Sequence, residues 1–180
     1  RWQGIIEIPI SYKNHEVIDK NGKKIPTQLK RDTLIGLVDL PSLSFSTFNK
    51  GQKIIRESNN KKNLILENSV IRYEFDIKGR LKSCFDKELN HEFLNNSGNV
   101  ISLYEDIPNN WDAWDIDFFY RDSLLETARI VEITPGMECD FYQDLIFKFD
   151  IGNSKITQVV SLIGNSKRLD LSNKVNWNEK

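Results

Sequence analysis

Two short runs, VIRYEFD at 70–76 and RLKSCFD at 80–86, alternate apolar and polar residues with a period of two. Successive side chains of a strand point to opposite faces, so this alternation prescribes one buried and one wetted face. Ile71, Tyr73 and Phe75 form one set; Val70, Arg72 and Glu74 form the other. In the second run Leu81, Ser83 and Phe85 oppose Lys82 and Cys84. Asp76–Gly79 between them reads as a turn. No amphipathic helix longer than about three turns competes with the pattern anywhere in the chain.

The same reading extends to both ends. IIEIPI at 5–10 is a β-branched strand whose Pro9 marks an edge or an end. Asn21-Gly22 predicts a type I′ hairpin that pairs Glu16–Asp19 with Lys24–Gln28. Strands follow at LIGLVDL (34–40), LSFSTF (43–48), LILEN (64–68) and VISLYE (100–105). SLLETARIVEI (123–133), CDFYQDLIFKFD (139–150), KITQVVSLIG (155–164) and KRLDLSNKVNW (167–177) complete the series. Pro135-Gly136 is expected to be a turn, and Gly152-Asn153-Ser154 a hairpin connection. Residues 49–63 are polar and rich in lysine and asparagine, as in a linker. The expected fold is all-β, an antiparallel β-sandwich. A smaller N-terminal β subdomain spans 1–50, a linker 51–63 and the large sandwich 64–180.

Composition removes several function classes. The hydrophobic fraction of 39% supports a sizeable core, and the net charge of -1 offers nothing to nucleic acid or to an anionic membrane. No apolar run approaches the roughly 18 residues that span a bilayer. RWQGIIEIPI lacks a signal-peptide pattern and enters a strand at once, as an excised piece of a longer protein does. Cys84 and Cys139 do not form a CxxC pair and read as reduced, buried thiols. His15 and His91 fall in turn-like contexts without a spaced metal-ligand partner, so this chain alone is not expected to hold zinc. There is no GxSxG elbow, GxGxxG or Walker loop.

One stretch departs from the scaffold: YEDIPNNWDAWDIDFFYRD at 104–122 interleaves rings with carboxylates. Extended, it would set Trp111, Asp115 and Asp117 on one face and Asp112, Trp114, Phe118 and Tyr120 on the other. An indole offers a flat surface to the C–H face of a sugar, and carboxylates accept its hydroxyls. Three other uses stay open. The carboxylates could bind Ca²⁺, although the spacing is not that of an EF-hand. They could form a glycosidase pair, since same-face neighbours lie roughly 6.5–7 Å apart. Or tryptophans plug a core while aspartates cap turns and pair with Arg121 or Arg129.

YEDIPNNWDAWDID at 104–117 resembles the "EDxPxxWDAWDI/V" segment of α-mannosidases of glycoside hydrolase family 38, in their bacterial, fungal and cytosolic branch. LENSVIRYEFDIKGRLKSCFDKELNHEFL at 66–94 and SKRLDLSNKVNWNEK at 166–180 resemble, in order, the start and later strands of that family's large β domain. Residues 5–48 resemble the small β region before it. The resemblance implies a supersandwich-like fold, partial at its C-terminal end, from a retaining, zinc-dependent enzyme that hydrolyses terminal α-mannosides in the cytoplasm. It places the zinc, the nucleophile and the general acid in a separate domain. This fragment would then hold no catalytic residue, metal or cofactor and would be inactive alone. Its implied partners are the catalytic and helical domains of the parent chain, with a mannoside also possible. Trp111, Asp112, Trp114, Asp115 and Asp117 match the motif, as substrate-binding or domain-interface residues. The alternatives are an autonomous carbohydrate-binding module or a purely structural domain.

Overall fold

In the computed structural model of this chain, residues 2–55, 63–110 and 116–179 are described. They form β1 (Trp2–Ile8), β2 (His15–Asp19), β3 (Lys24–Ile25), β4 (Thr27–Lys30), β5 (Thr33–Leu40) and β6 (Phe48–Lys53). After these come β7 (Ile65–Glu67), β8 (Ile71–Phe75), β9 (Leu81–Asp86), β10 (His91–Glu92) and β11 (Ser102–Tyr104). The last five are β12 (Leu124–Thr127), β13 (Arg129–Cys139), β14 (Tyr142–Ile151), β15 (Ser154–Ile163) and β16 (Leu169–Asn176). The only helical elements among the described residues are two 3-10 turns, Ile10–Tyr12 and Phe118–Asp122. The fold is all-β and its strand pairs are antiparallel.

Two four-stranded sheets, β10-β9-β8-β7 and β13-β14-β15-β16, face each other as a sandwich. The alternation in 71–75 is realised: Ile71, Tyr73 and Phe75 are buried, while Arg72 and Glu74 are half-buried on the other face. They meet Leu145, Phe147, Phe149 and Ile151 of β14, with Ile156, Val160 and Leu162 of β15. The Phe75 and Phe147 rings lie 5.3 Å apart. Burying a ring such as Phe147 completely contributes roughly 2–3 kcal/mol.

The N-terminal strands form the sheets β1-β5-β4 and β3-β2-β6. Strand β5 is apolar along its length because both of its faces are covered. Leu34 packs with Ile8 and Val17 in a small core, while Ile35 joins Phe141 and Tyr142 on the opposite face. The second cluster seats the N-terminal sheet against β14. Tyr142, Asp144 and Ile146 are therefore buried on the face of β14 that does not enter the sandwich core.

The structure corrects several local expectations. Only Gly22 of the first hairpin turn takes a positive φ, so the turn is not type I′. Gly22 N donates to Asp19 O, and Asp19 Oδ1 accepts from Asn21 N and Lys23 N. The motif recurs at 76–80, where Asp76 Oδ1 accepts from Lys78 N and Arg80 N and Gly79 has φ +74. In both, a glycine in the left-handed region closes a three-residue loop. Pairing of the first hairpin ends at Ile25; residues 27–30 cross to pair with β5.

Residues 43–47 are not a strand, because nothing covers them: Leu43 and Phe45 are fully exposed. The strand instead begins at Phe48 and runs through Lys53, into the expected linker, by pairing with β2. The rest of that linker, 56–62, lies outside the described residues. Pro135-Gly136 is not a turn but a bulge inside β13, opposite β14. A Cβ on Gly136 would lie 1.9 Å from the Asp144 carbonyl oxygen, so only glycine fits. The expected strand at 139–150 is broken at Asp140-Phe141, a two-residue connection between β13 and β14. The stretch 123–133 is likewise two strands, parted at Ala128. His15 and His91 begin strands β2 and β10 rather than sitting in turns. Cys84 and Cys139 are free thiols, half-buried rather than buried.

Candidate functional site

The 104–122 stretch leaves the sandwich on a two-stranded arm. Strand β11 pairs with β12, Ser102 opposite Thr127 and Tyr104 opposite Leu124. The base is closed by Glu105 N donating to Ser123 O at 2.9 Å. Farther out, Asn109 N donates to Asp117 Oδ2 at 2.9 Å and draws the two limbs together across eight positions. Asp117 then opens the 3-10 turn Phe118–Asp122 as its N-cap residue, its carbonyl accepting from Tyr120 N. A 3-10 turn does not alternate with a period of two, so the extended reading fails over 118–122.

That turn folds the aromatics back on the arm. The Tyr120 ring stands edge-on to Tyr104 at 5.2 Å, and the Arg121 guanidinium lies 5.9 Å from the Tyr120 ring. Phe118 and Phe119 meet at 5.9 Å. Ile107, Ile116, Phe118, Leu124 and Leu125 stay exposed around this cluster, Phe118 at 83%. Of the five expected site residues, the structure places Asp117; Trp111, Asp112, Trp114 and Asp115 lie outside the described residues. Asp117 serves its own loop as a hydrogen-bond acceptor and is half-buried.

The fold gathers titratable groups at two other places that the sequence reading passed over. Asp86, 2% exposed at the end of β9, accepts from Glu88 N and Leu89 N with Oδ1 and from Lys167 Nζ at 2.7 Å with Oδ2. The Lys167 hydrogen bond, then that of Leu89 N–H, holds the Asp86 carboxyl below the usual carboxylate range. Asp86 and Glu88 in turn hold the Lys167 ammonium above its ordinary value. The Tyr73 hydroxyl donates to Lys167 O at 2.5 Å, and burial raises it to about 12. The second place lies under the N-terminal sheet. Asp144 accepts from Met137 N at 2.7 Å and from the Tyr142 hydroxyl at 3.2 Å, with Lys30 Nζ 3.8 Å away. Lys30 also donates to Tyr142, whose hydroxyl burial pushes well above its ordinary value; burial lowers Lys30. Both sets are internally satisfied and join distant strands.

Burial also raises the Cys84 and Cys139 thiols, so neither is a ready thiolate nucleophile. No three His, Cys, Asp or Glu side chains among the described residues converge as a metal site. Those described residues therefore do not fit a zinc ion. No helix among the described residues is long and apolar enough to cross a membrane.

Comparison with known proteins bears on this arrangement. Residues 66–180 match the family model described as Glycosyl hydrolases family 38 C-terminal domain. The chain is 29% identical over 198 residues to Alpha-mannosidase G of Dictyostelium discoideum, a match covering 97% of the chain and 18% of that protein. It is 30% identical over 122 residues to Alpha-mannosidase 2C1 of Homo sapiens, covering 63% of the chain and 11% of that protein. The chain thus spans less than a fifth of the length of the curated relatives it matches.

Proposed function

This chain belongs to glycosyl hydrolase family 38, and from that premise we propose that it is the non-catalytic β-sandwich part of an α-mannosidase. The parent enzyme hydrolyses terminal α-mannosides with retention and with a zinc ion held elsewhere in its chain. This part contributes a wall: the 104–122 stretch faces the catalytic domain and reaches towards the substrate. The carrying observation is its construction. Asp117 pins the loop from inside while Ile107, Ile116 and Phe118 are turned to solvent, where rings and branched chains cost free energy unless a surface covers them.

The catalytic and helical domains of the parent are the partners in this reading. Trp111, Asp112, Trp114 and Asp115 act beside Asp117 at the same interface or on the sugar. The units are a small β part over 1–50, a linker at 51–63 and the sandwich from 64 to 180. Cytoplasmic residence belongs to the same proposal; two free cysteines fit a reducing compartment.

Turnover of an α-mannoside by the full-length parent tests it. Asp117→Ala is expected to lower kcat/KM by roughly tenfold, about 1.4 kcal/mol of transition-state stabilisation, by loosening the loop. The isolated chain is expected to show no turnover even with added zinc. Unchanged turnover in a full-length Asp117→Ala enzyme of lowered stability would make the stretch a brace only.

A further inference from the structure

Where β1 meets the turn between β15 and β16, the chain encloses a cavity of about 440 Å³. Trp2, Gln3, Asn165, Ser166, Arg168 and Asp170 line it, with apolar side chains of β1, β5 and β15 behind them. None of the described residues within 104–122 is among the lining residues. Its most telling member is Trp2. A Cβ placed on Gly4 would lie 2.1 Å from Trp2 Cζ2 and 2.5 Å from Cη2. The six-membered ring of the indole therefore sits directly over the Gly4 backbone, in space that any other residue would fill. The side that rests on Gly4 is covered, and the residue as a whole remains 50% exposed.

An indole held in this way is a platform rather than a core plug. Its face carries negative charge from the π-system and attracts polarised C–H groups. The rim is polar in a complementary way. Arg168 Nε and Asp170 Oδ1 pair at 2.8 Å, with Nη2 to Oδ2 at 3.1 Å, presenting donors and acceptors in one plane. Asn165 Oδ1 accepts the Ser69 hydroxyl at 3.1 Å, which leaves its amide hydrogens for a ligand. Ser166 Oγ accepts from Arg168 N at 3.0 Å and keeps its own proton to donate. A flat apolar face bounded by hydroxyl-matching groups, in a space larger than one pyranose ring, selects for a sugar. A nucleobase would find no buried hydrogen-bond array here, and a fatty chain would strand the Arg168–Asp170 pair.

We propose that this cavity binds one hexose unit of an oligosaccharide, its C–H face on Trp2 and its hydroxyls on Arg168, Asp170 and Asn165. Saturation-transfer-difference NMR on the chain as it stands, with methyl α-mannoside and methyl β-glucoside as probes, tests the site. Transfer to the ring C–H protons of at least one probe is expected. Trp2→Ala should weaken binding by at least about tenfold. Gly4→Ala should weaken it too by displacing the indole, Trp2→Phe should weaken it less, and Trp177→Ala, at another exposed tryptophan, should leave it unchanged. Circular dichroism of each variant separates lost binding from lost fold. No transfer with either probe, or equal transfer in folded Trp2→Ala and wild type, overturns the site. Such a result would leave the 104–122 reading untouched.

Discussion

In the sandwich, Phe147 meets Phe75 at 5.3 Å and has no exposure to water; in the 104–122 stretch, Phe118 meets Phe119 at 5.9 Å with 83% of its surface wet. The carboxylates divide in the same way. Asp86 is met by two backbone N–H groups and Lys167, and Asp144 by Met137 N and the Tyr142 hydroxyl. Asp117 accepts the backbone N–H of Asn109 from its own loop. Buried charge must be matched by its surroundings, and the sandwich supplies the match itself. The described part of the loop matches what fixes its shape and leaves Ile107, Ile116 and Phe118 exposed. A scaffold and an exposed loop, built from similar residue types, differ in where the compensating groups come from.

The largest expected effect tests the scaffold half of that contrast. Phe147→Ala should cost about 4 kcal/mol in urea unfolding, through lost burial and a cavity. Phe118→Ala should cost under about 0.5 kcal/mol in the same assay. Similar costs for the two would erase the contrast. Next, Asp144→Ala should cost about 3 kcal/mol, because Met137 N, the Tyr142 hydroxyl and half-buried Lys30 all lose their acceptor. A cost below about 0.5 kcal/mol would mean that the N-terminal sheet is not fastened at this point.

A smaller effect sharpens the role of Asp86. Its folded-state pKa is depressed, first by Lys167, so its stabilisation is present in full above the unfolded value near about 3.9. That stabilisation is lost as pH falls through the folded value. Asp86→Asn should therefore be less stable than wild type at neutral pH, and the gap should close below about pH 4. A gap constant with pH would show that the carboxylate acts by shape rather than charge.

The scaffold was legible in the sequence where one face meets water and the other does not, as at 71–75. It was hidden where both faces are covered. Along β14 Asp144 reads as a polar position facing out, yet the N-terminal sheet buries it from a distance that local pattern cannot encode. The Asp140-Phe141 connection carries no glycine or asparagine and vanished inside a strand-like run. Pro135-Gly136 has turn chemistry, but Asp144 captures Met137 N and the pair becomes a bulge. Leu43 and Phe45 alternate as in a strand with no opposing layer to bury them. At the candidate site, composition singled out 104–122, and Asp117 emerged with a defined hydrogen bond. The 3-10 turn after it was not legible, since FFYRD has no signature separating it from a strand.

Hydrogen–deuterium exchange, comparing the full-length parent with this chain alone, addresses the loop most directly. If the 104–122 stretch is a surface covered by the catalytic domain, amides at 105–110 and 116–122 should exchange at least about tenfold more slowly in the parent, while β14 and β15 exchange alike in both. Equal exchange of the loop in the two proteins would contradict a docked wall and leave it a free surface.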